Sequence, residues 1–245
     1  DSAVIELVRV ATGDYVWWIG DDMLLPDAIS KVCDLLTDNR DLIFLWLNSC
    51  DITNSNLLTI NKTSTSIFNN RNFLLRYDIG LLGFITATMF RRDVALRCLD
   101  DAKRHIGSAF ACLYIVLYVL SQPGRLGIIG DPCFASRPKP SGEVRWYDQY
   151  QVFGINLFQI ANAFQHVFDK ADLKRALADN LVRVLKAVIV ERALGMHTGF
   201  ASPSVSIKPL LVNYHSYWQF WVFLPIMLLP APVLKLLYRA YKAFV

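Results

Sequence analysis

The feature that most constrains the fold is an unbroken apolar run at residues 15–19, Tyr-Val-Trp-Trp-Ile, that stops at Gly20-Asp21-Asp22. Aromatic and β-branched residues in such a run form a strand covered on both faces in an α/β sheet. Gly20 supplies a turn, and Pro26 can open a helix whose apolar positions Ile29, Val32, Cys33 and Leu36 keep helical spacing. Two carboxylates therefore stand at the carboxyl end of a strand, which is where open α/β sheets put their ligands. Adjacent carboxylates in a loop suit a hard divalent cation, Mg²⁺ or Mn²⁺, that also holds phosphate oxygens. Taken alone, an Asp-Asp pair before a helix is most often a solvated turn or a helix cap.

The surrounding pattern reverses that default. Residues 11–29, Ala-Thr-Gly-Asp-Tyr-Val-Trp-Trp-Ile-Gly-Asp-Asp-Met-Leu-Leu-Pro-Asp-Ala-Ile, resemble the segment around the Asp-x-Asp motif of family 2 nucleotide-sugar glycosyltransferases with the GT-A fold, of the bacterial glycan and O-antigen type. The resemblance implies an α/β fold, a GT-A-like mixed sheet flanked by helices and followed by a helical C-terminal region. It implies inverting, metal-dependent transfer of a sugar from a nucleotide diphosphate donor to a lipid-linked or glycan acceptor. It puts the metal on Asp22 and Asp21 nearer the nucleotide ribose or base, while Met23 occupies the position where many relatives carry a third aspartate. It further implies two or three βα units with nucleotide-binding loops ahead of residue 1. Gly-Asp-Asp after an apolar strand also resembles the metal-binding hairpin of RNA-copying polymerases, where paired acids hold two metal ions. That hairpin needs a second strand straight after the acids, and the Pro-led helix expected here argues against it.

Along the chain, Val4, Ile5, Leu7 and Val8 predict a first helix, residues 41–47 a second buried strand, and the Asn- and Thr-rich region 48–70 a loop or β excursion. A short helix at 72–77, a strand at 83–90 and a helix at 93–104 with Val94, Leu96 and Leu99 inward follow. The segment 83–92, Gly-Phe-Ile-Thr-Ala-Thr-Met-Phe-Arg-Arg, resembles the family's acceptor-side strand, although an ordinary strand with a basic end reads the same way. An apolar helix at 108–120 and a strand at 126–136 come next.

An inverting transfer needs a base for the acceptor hydroxyl, because a sugar alcohol is a poor nucleophile unassisted. The candidates by position are Asp100, Asp101 and His105; the segment 106–111 that leads into the helix has no acid. Paired surface charges facing water are the commoner reading of the two aspartates. Arg137, Lys139 and Arg145 fall in a Pro/Gly-rich loop at 136–147, where cations can neutralise a diphosphate leaving group. From residue 150 onward the pattern is helical, with a long stripe of Leu173, Ala176, Leu177, Leu181, Val184, Leu185, Val188 and Ile189 between 172 and 196. The expected organisation is a catalytic part at 1–149, a helical packing region at 150–215 and a membrane-associating segment at 216–245.

That last segment is uncharged over 217–234, has Trp218, Phe220, Trp221 and Phe223 at one end, and is followed by Lys235, Arg239 and Lys242. Pro225, Pro230 and Pro232 disfavour one straight helix. A monotopic hairpin or interfacial helix on the cytoplasmic face of a cell membrane is the expectation, with a true span or an apolar tail folded onto the protein as alternatives. A net charge of +4 with no nucleic-acid motif points to an anionic membrane surface and away from nucleic acid. Five widely spaced cysteines, mostly in apolar company and without Cys-x-x-Cys or Cys/His ligand spacing, read as buried free thiols in a reducing compartment. A non-catalytic, membrane-associated homologue acting as a scaffold is the alternative function, motivated by Met23 and the missing base.

Overall fold

The structure, a computed structural model, describes residues 1–52, 64–76, 78–136, 148–195 and 207–244. It is an α/β protein built on one mixed sheet. A first helix α1 (Ser2–Val10) leads to β1 (Tyr15–Trp17), β2 (Met23–Leu24), α2 (Ala28–Asp38) and β3 (Leu42–Asp51). After β4 (Ser66–Phe68) and short 3₁₀ turns come β5 (Thr88–Arg91), the one-turn helices α3 (Arg92–Ala95) and α4 (Leu99–Ala102), then α5 (Ala111–Ser121) and β6 (Arg125–Ser136).

The strand order is β1-β5-β3-β6-β2, and β4 pairs with β6 beside β2. β5 is antiparallel to both β1 and β3, while β3 and β6 are parallel. Three strands, β1, β3 and β6, therefore point the same way. β3 is buried at every residue from Leu42 to Cys50, as a strand covered on both faces must be. α5, with Leu113, Ile115, Val116, Leu117 and Val119 fully buried, packs on β3 and β5. β6 carries a bulge: the register jumps from Leu47↔Ile129 to Asn48↔Pro132, and the buried Asn48 side chain donates to the Gly130 carbonyl at 2.8 Å. The bulge separates the β6 residues that pair with β4 (Leu126–Ile128) from those that pair with β2 (Phe134, Ala135).

The rest is helical: a π-turn (Tyr150–Asn156), α6 (Leu157–Ala163), α7 (Lys170–Leu194), α8 (Ile207–Tyr214), α9 (Trp218–Met227) and α10 (Ala231–Phe244). Asp169 caps α7 by accepting from the Ala171 and Asp172 amides, and Gly195 ends it in the left-handed region at φ 65°. The apolar stripe of α7 is buried from Leu173 to Val188 as its spacing predicts, with Ile189 packed at its margin. One hydrophobic core runs from Ile5 on α1 to Met227 on α9.

Several elements depart from the sequence expectation. The strand at 15–19 ends at Trp17, and Pro26 lies in the turn before α2, whose N-cap is Asp27. At 83–90 only Thr88 onward is strand, because two 3₁₀ turns, Ile79–Gly83 and Ile85–Ala87, bring the chain to the sheet end. The helix at 93–104 is broken into α3, α4 and the 3₁₀ turns between and after them, though Val94 and Leu99 are inward as predicted and Leu96 packs at the core margin. The first part of the region expected to be helical from residue 150 is a π-turn followed by α6. The apolar segment at 217–234 is two helices that bend by 109° at 228–230, with Pro225 inside α9 and Pro232 in the first turn of α10, where its missing N–H costs nothing. Among the described residues no single helix is long and apolar enough to cross a membrane.

All five cysteines are free; Cys50, Cys98, Cys112 and Cys133 are buried and Cys33 is exposed. Burial pushes Cys98 up to about 12 and Cys112 and Cys133 up to about 11, which leaves them inert as thiols.

Candidate functional site

The acid pair lies in a five-residue connection between opposite edges of the sheet. β1 ends at Trp17 and β2 begins at Met23, with β5, β3 and β6 between them in the strand order. Four strand intervals at about 4.8 Å would set the edges roughly 19 Å apart in a flat sheet. Six peptide steps reach at most roughly 20 Å. The register adds a rise along the strands, from the level of Leu45 on β3 (Trp17) to that of Cys50 (Met23), so the sheet must curl, and Gly20, Asp21 and Asp22 bridge from the carboxyl end of β1 to the carboxyl end of β6. β2 enters antiparallel from that same end, pairing Met23 with Ala135 one residue before β6 stops. No hairpin forms with β1. A second strand does follow the acids, contrary to the helix expected there, but its partner is β6, so the polymerase arrangement is absent.

Within this crossing, Asp22 is fixed and Asp21 is exposed. Thr86, fully buried in the 3₁₀ turn that enters β5, donates its hydroxyl to Asp22 Oδ2 at 2.5 Å and accepts from the Gly20 amide at 3.2 Å. Its carbonyl accepts from Trp17 Nε1 at 2.8 Å. One buried side chain thus ties the acid loop to the start of β5 and orients the Asp22 carboxylate, whose Oδ1 takes no hydrogen bond from a described residue. A hard-oxygen pair of this kind fits Mg²⁺ or Mn²⁺, which binds through one or two carboxylates and takes its remaining ligands from water and phosphate. Among the described residues no cluster of three or more His, Cys, Asp or Glu side chains exists to make a closed protein cage. Met23, at the third-acid position, is a half-exposed strand residue.

Thr86→Val keeps the shape and removes the hydroxyl. The expected result is a stability loss of about 1–2 kcal/mol in urea unfolding and faster hydrogen exchange at the Gly20 amide, with Thr86→Ser close to the parent.

The base candidates are engaged with other partners. Asp100 and Asp101 face solvent and pair with Lys103 at 2.8 Å and Arg104 at 3.4 Å. The hydrogen bond from Lys103 holds the Asp100 carboxyl below its usual range, which weakens it as a base. His105 stacks on Tyr114 with ring centroids 4.5 Å apart, and its pKa is lowered mainly by burial and further by Arg104. No hydrogen bond, ion pair or ring contact among the described residues joins these three to Asp21 or Asp22. Arg137, Lys139 and Arg145 lie outside the described residues.

An acid that sequence reading missed does stand at the start of α5. The Asp1 carboxylate accepts from the amides of Gly107 at 2.9 Å, Ala109 at 2.8 Å and Ala111 at 3.1 Å. Gly107 and Ala109 are both left-handed, at φ 91° and 62°, which turns these amides onto one anion. With three of about four lone-pair sites taken, this carboxylate works as an anchor between α1 and α5 and not as a free base. Asp1→Ala is expected to cost about 1–2 kcal/mol in thermal unfolding, since the strained Ala109 loses its support.

A hollow of about 610 Å³ lies at the other end of β1, lined by Asp14, Tyr15, Leu36, Arg40 and Arg91 among others, and is therefore separate from the acids. No protein-family model matches the chain, and no curated protein matches it significantly.

Proposed function

We propose that the chain is part of a metal-dependent, inverting glycosyltransferase of the GT-A, family 2 kind, moving a sugar from a nucleotide diphosphate donor to a lipid-linked or glycan acceptor. The observation that carries this reading is the position of Asp21 and Asp22 between the carboxyl ends of the like-directed strands β1 and β6, with Asp22 oriented by Thr86. Ligands of open α/β sheets collect at that end. A divalent cation held by Asp22, with Asp21 beside it, supplies Lewis-acid charge where the departing diphosphate gathers negative charge. Thr86 contributes by keeping the carboxylate aimed before the ligand arrives, so no reorganisation is needed on binding. Arg137, Lys139 and Arg145 follow β6 in the sequence, and cations of this kind would neutralise the charge of a departing diphosphate.

Titration calorimetry of a panel of nucleoside diphosphates, with Mn²⁺ and then with excess chelator, tests the reading. Binding that depends on metal supports it; equal affinity in both conditions rejects it. The half-exposed Met23, where a third acid would complete the motif, favours the second reading, a non-catalytic homologue acting as a scaffold. That protein would bind no nucleotide under either condition.

A further inference from the structure

We infer that the outward faces of α8, α9 and α10 together form one docking surface for an anionic lipid bilayer, wider than the apolar segment visible in the sequence. Each helix keeps one side in the protein and shows a second apolar side to solvent. In α9, Phe220 and Met227 are buried while Trp218, Trp221 and Val222 are 69%, 50% and 53% exposed, at spacings of three and four residues. In α10, Leu234 is buried and Val233, Leu236 and Leu237 are 40%, 68% and 50% exposed. α8 repeats the pattern, with Leu210 and Tyr214 buried and Leu211 and Val212 exposed. These side chains and Leu228 at the bend make up over half of the large exposed hydrophobics among the described residues, in a stretch that is a small part of the chain. Monomer surfaces rarely concentrate apolar area in this way unless something covers it.

Charge decides what the occupant is. Between Ile207 and Phe244 there is no Asp or Glu, but there are Lys208, Lys235, Arg239 and Lys242. On α10 the cations recur at helical spacing and form a stripe of their own, distinct from the apolar one. Exposed tryptophans on α9 together with a cationic stripe on α10 match the headgroup region of an anionic membrane, where indole rings settle and Lys and Arg meet lipid phosphate. The bend is held from within: Arg192 on α7 donates to the carbonyls of Met227 and Leu229, two acceptors left free where α9 ends. A guanidinium on these carbonyls fixes the 109° turn, so the stripes of α9 and α10 are presented by a preset joint rather than by a loose tail.

This inference is independent of the sugar-transfer reading, because vesicle binding registers it without any activity. The test is co-sedimentation of the full chain with mixed phosphatidylglycerol and phosphatidylcholine vesicles, and with phosphatidylcholine alone. The parent should bind the anionic vesicles at least about ten-fold more tightly, and high salt should remove only part of the binding, since it screens the cations and not the buried rings. Trp218→Ser with Trp221→Ser should weaken binding to both vesicle types by about ten-fold or more. Lys235→Gln, Arg239→Gln and Lys242→Gln together should abolish the preference for anionic lipid. Trp218, Lys235, Arg239 and Lys242 are solvent-facing, so replacing them should leave thermal unfolding at the parent value, whereas Trp221→Ser also loses the indole hydrogen bond to the His215 carbonyl and should lower it slightly. Failure of the parent to pellet with anionic vesicles overturns the inference, as do variants that pellet like the parent. A lipid-free dimer that the tryptophan pair splits would make the face a self-interface, and a fall in unfolding temperature with unchanged pelleting would make it covered core; either result replaces the bilayer as occupant.

Discussion

Asp22→Asn is expected to weaken Mn²⁺-dependent binding of a nucleoside diphosphate by about 100-fold or more, and Asp21→Asn by about ten-fold. The size follows from what each change removes. Loss of a residue that only orients a metal ligand costs about 10–100-fold in affinity, so loss of the ligand charge itself belongs at or above the top of that range. Asn is close to isosteric with Asp, and its carbonyl oxygen can still accept from the Thr86 hydroxyl that sits 2.5 Å from Asp22 Oδ2. The crossing loop should therefore keep its path, and the thermal unfolding temperature should hold. Thr86→Val separates orientation from charge: it leaves the Asp22 carboxylate in place but free to turn, and should cost about ten-fold in Mn²⁺ affinity. Calorimetry on the three variants gives a graded series. An Asp22→Asn protein that binds nucleotide and Mn²⁺ as the parent does removes Asp22 from the site.

The parts of this site that sequence reading reached are those encoded locally. An apolar strand, a glycine and two acids are adjacent, so strand β1 and the exposed turn can be read without knowing any neighbour. Thr86 is 64 positions from Asp22, and the Gly107 amide is 106 positions from Asp1; a hydroxyl or a carboxylate carries no mark of the partner that a distant turn will bring to it. Helix breaks were hidden for a related reason. The stretch Arg92 to His105 has helical apolar spacing, but it wraps around the buried Ala95, Cys98 and Ala102, and packing against α5 replaced a continuous helix with short turns. β2 is only two residues long and gains its identity from pairing with β6, so Met23-Leu24-Leu25-Pro26 reads as a lead into a helix. In the C-terminal helices, period distinguished apolar from polar positions but not protein-facing from solvent-facing ones. Phe220 and Trp221 are neighbours with the same hydrophobic character, yet one is fully buried and the other half exposed. Phe223 is packed against the core, so only Trp218 and Trp221 of the aromatic cluster point outward.

The largest stability effect should come from Gly124→Ala, in the turn from α5 into β6. Gly124 has φ 147°, a conformation that side chains avoid, and a Cβ there would stand 2.4 Å from Ile43 Cγ2 and 3.0 Å from its Cγ1. Ile43 is 5% exposed on the central strand β3 and has little room to retreat. Backbone strain of about 1–3 kcal/mol adds to an overpacking cost of about 1–3 kcal/mol, giving about 2–6 kcal/mol in all. For a chain of this length that is roughly 10 °C in unfolding temperature. Gly107→Ala is the control for strain alone, because its φ is 91° and a Cβ would meet nothing within 4 Å; it should cost about 1–3 kcal/mol. Ile43→Ala removes the side-chain atoms that the added methyl group would strike, so in the double variant the two costs should fall short of additive by at least about 1 kcal/mol. Equal losses for Gly124→Ala and Gly107→Ala, or strict additivity with Ile43→Ala, would show that the α5–β6 turn does not press on β3. Gly124 sets where β6 begins against β3, with Leu42 opposite Arg125, while the bulge between Leu47 and Ser49 resets the register before the end of β6 where Met23 pairs.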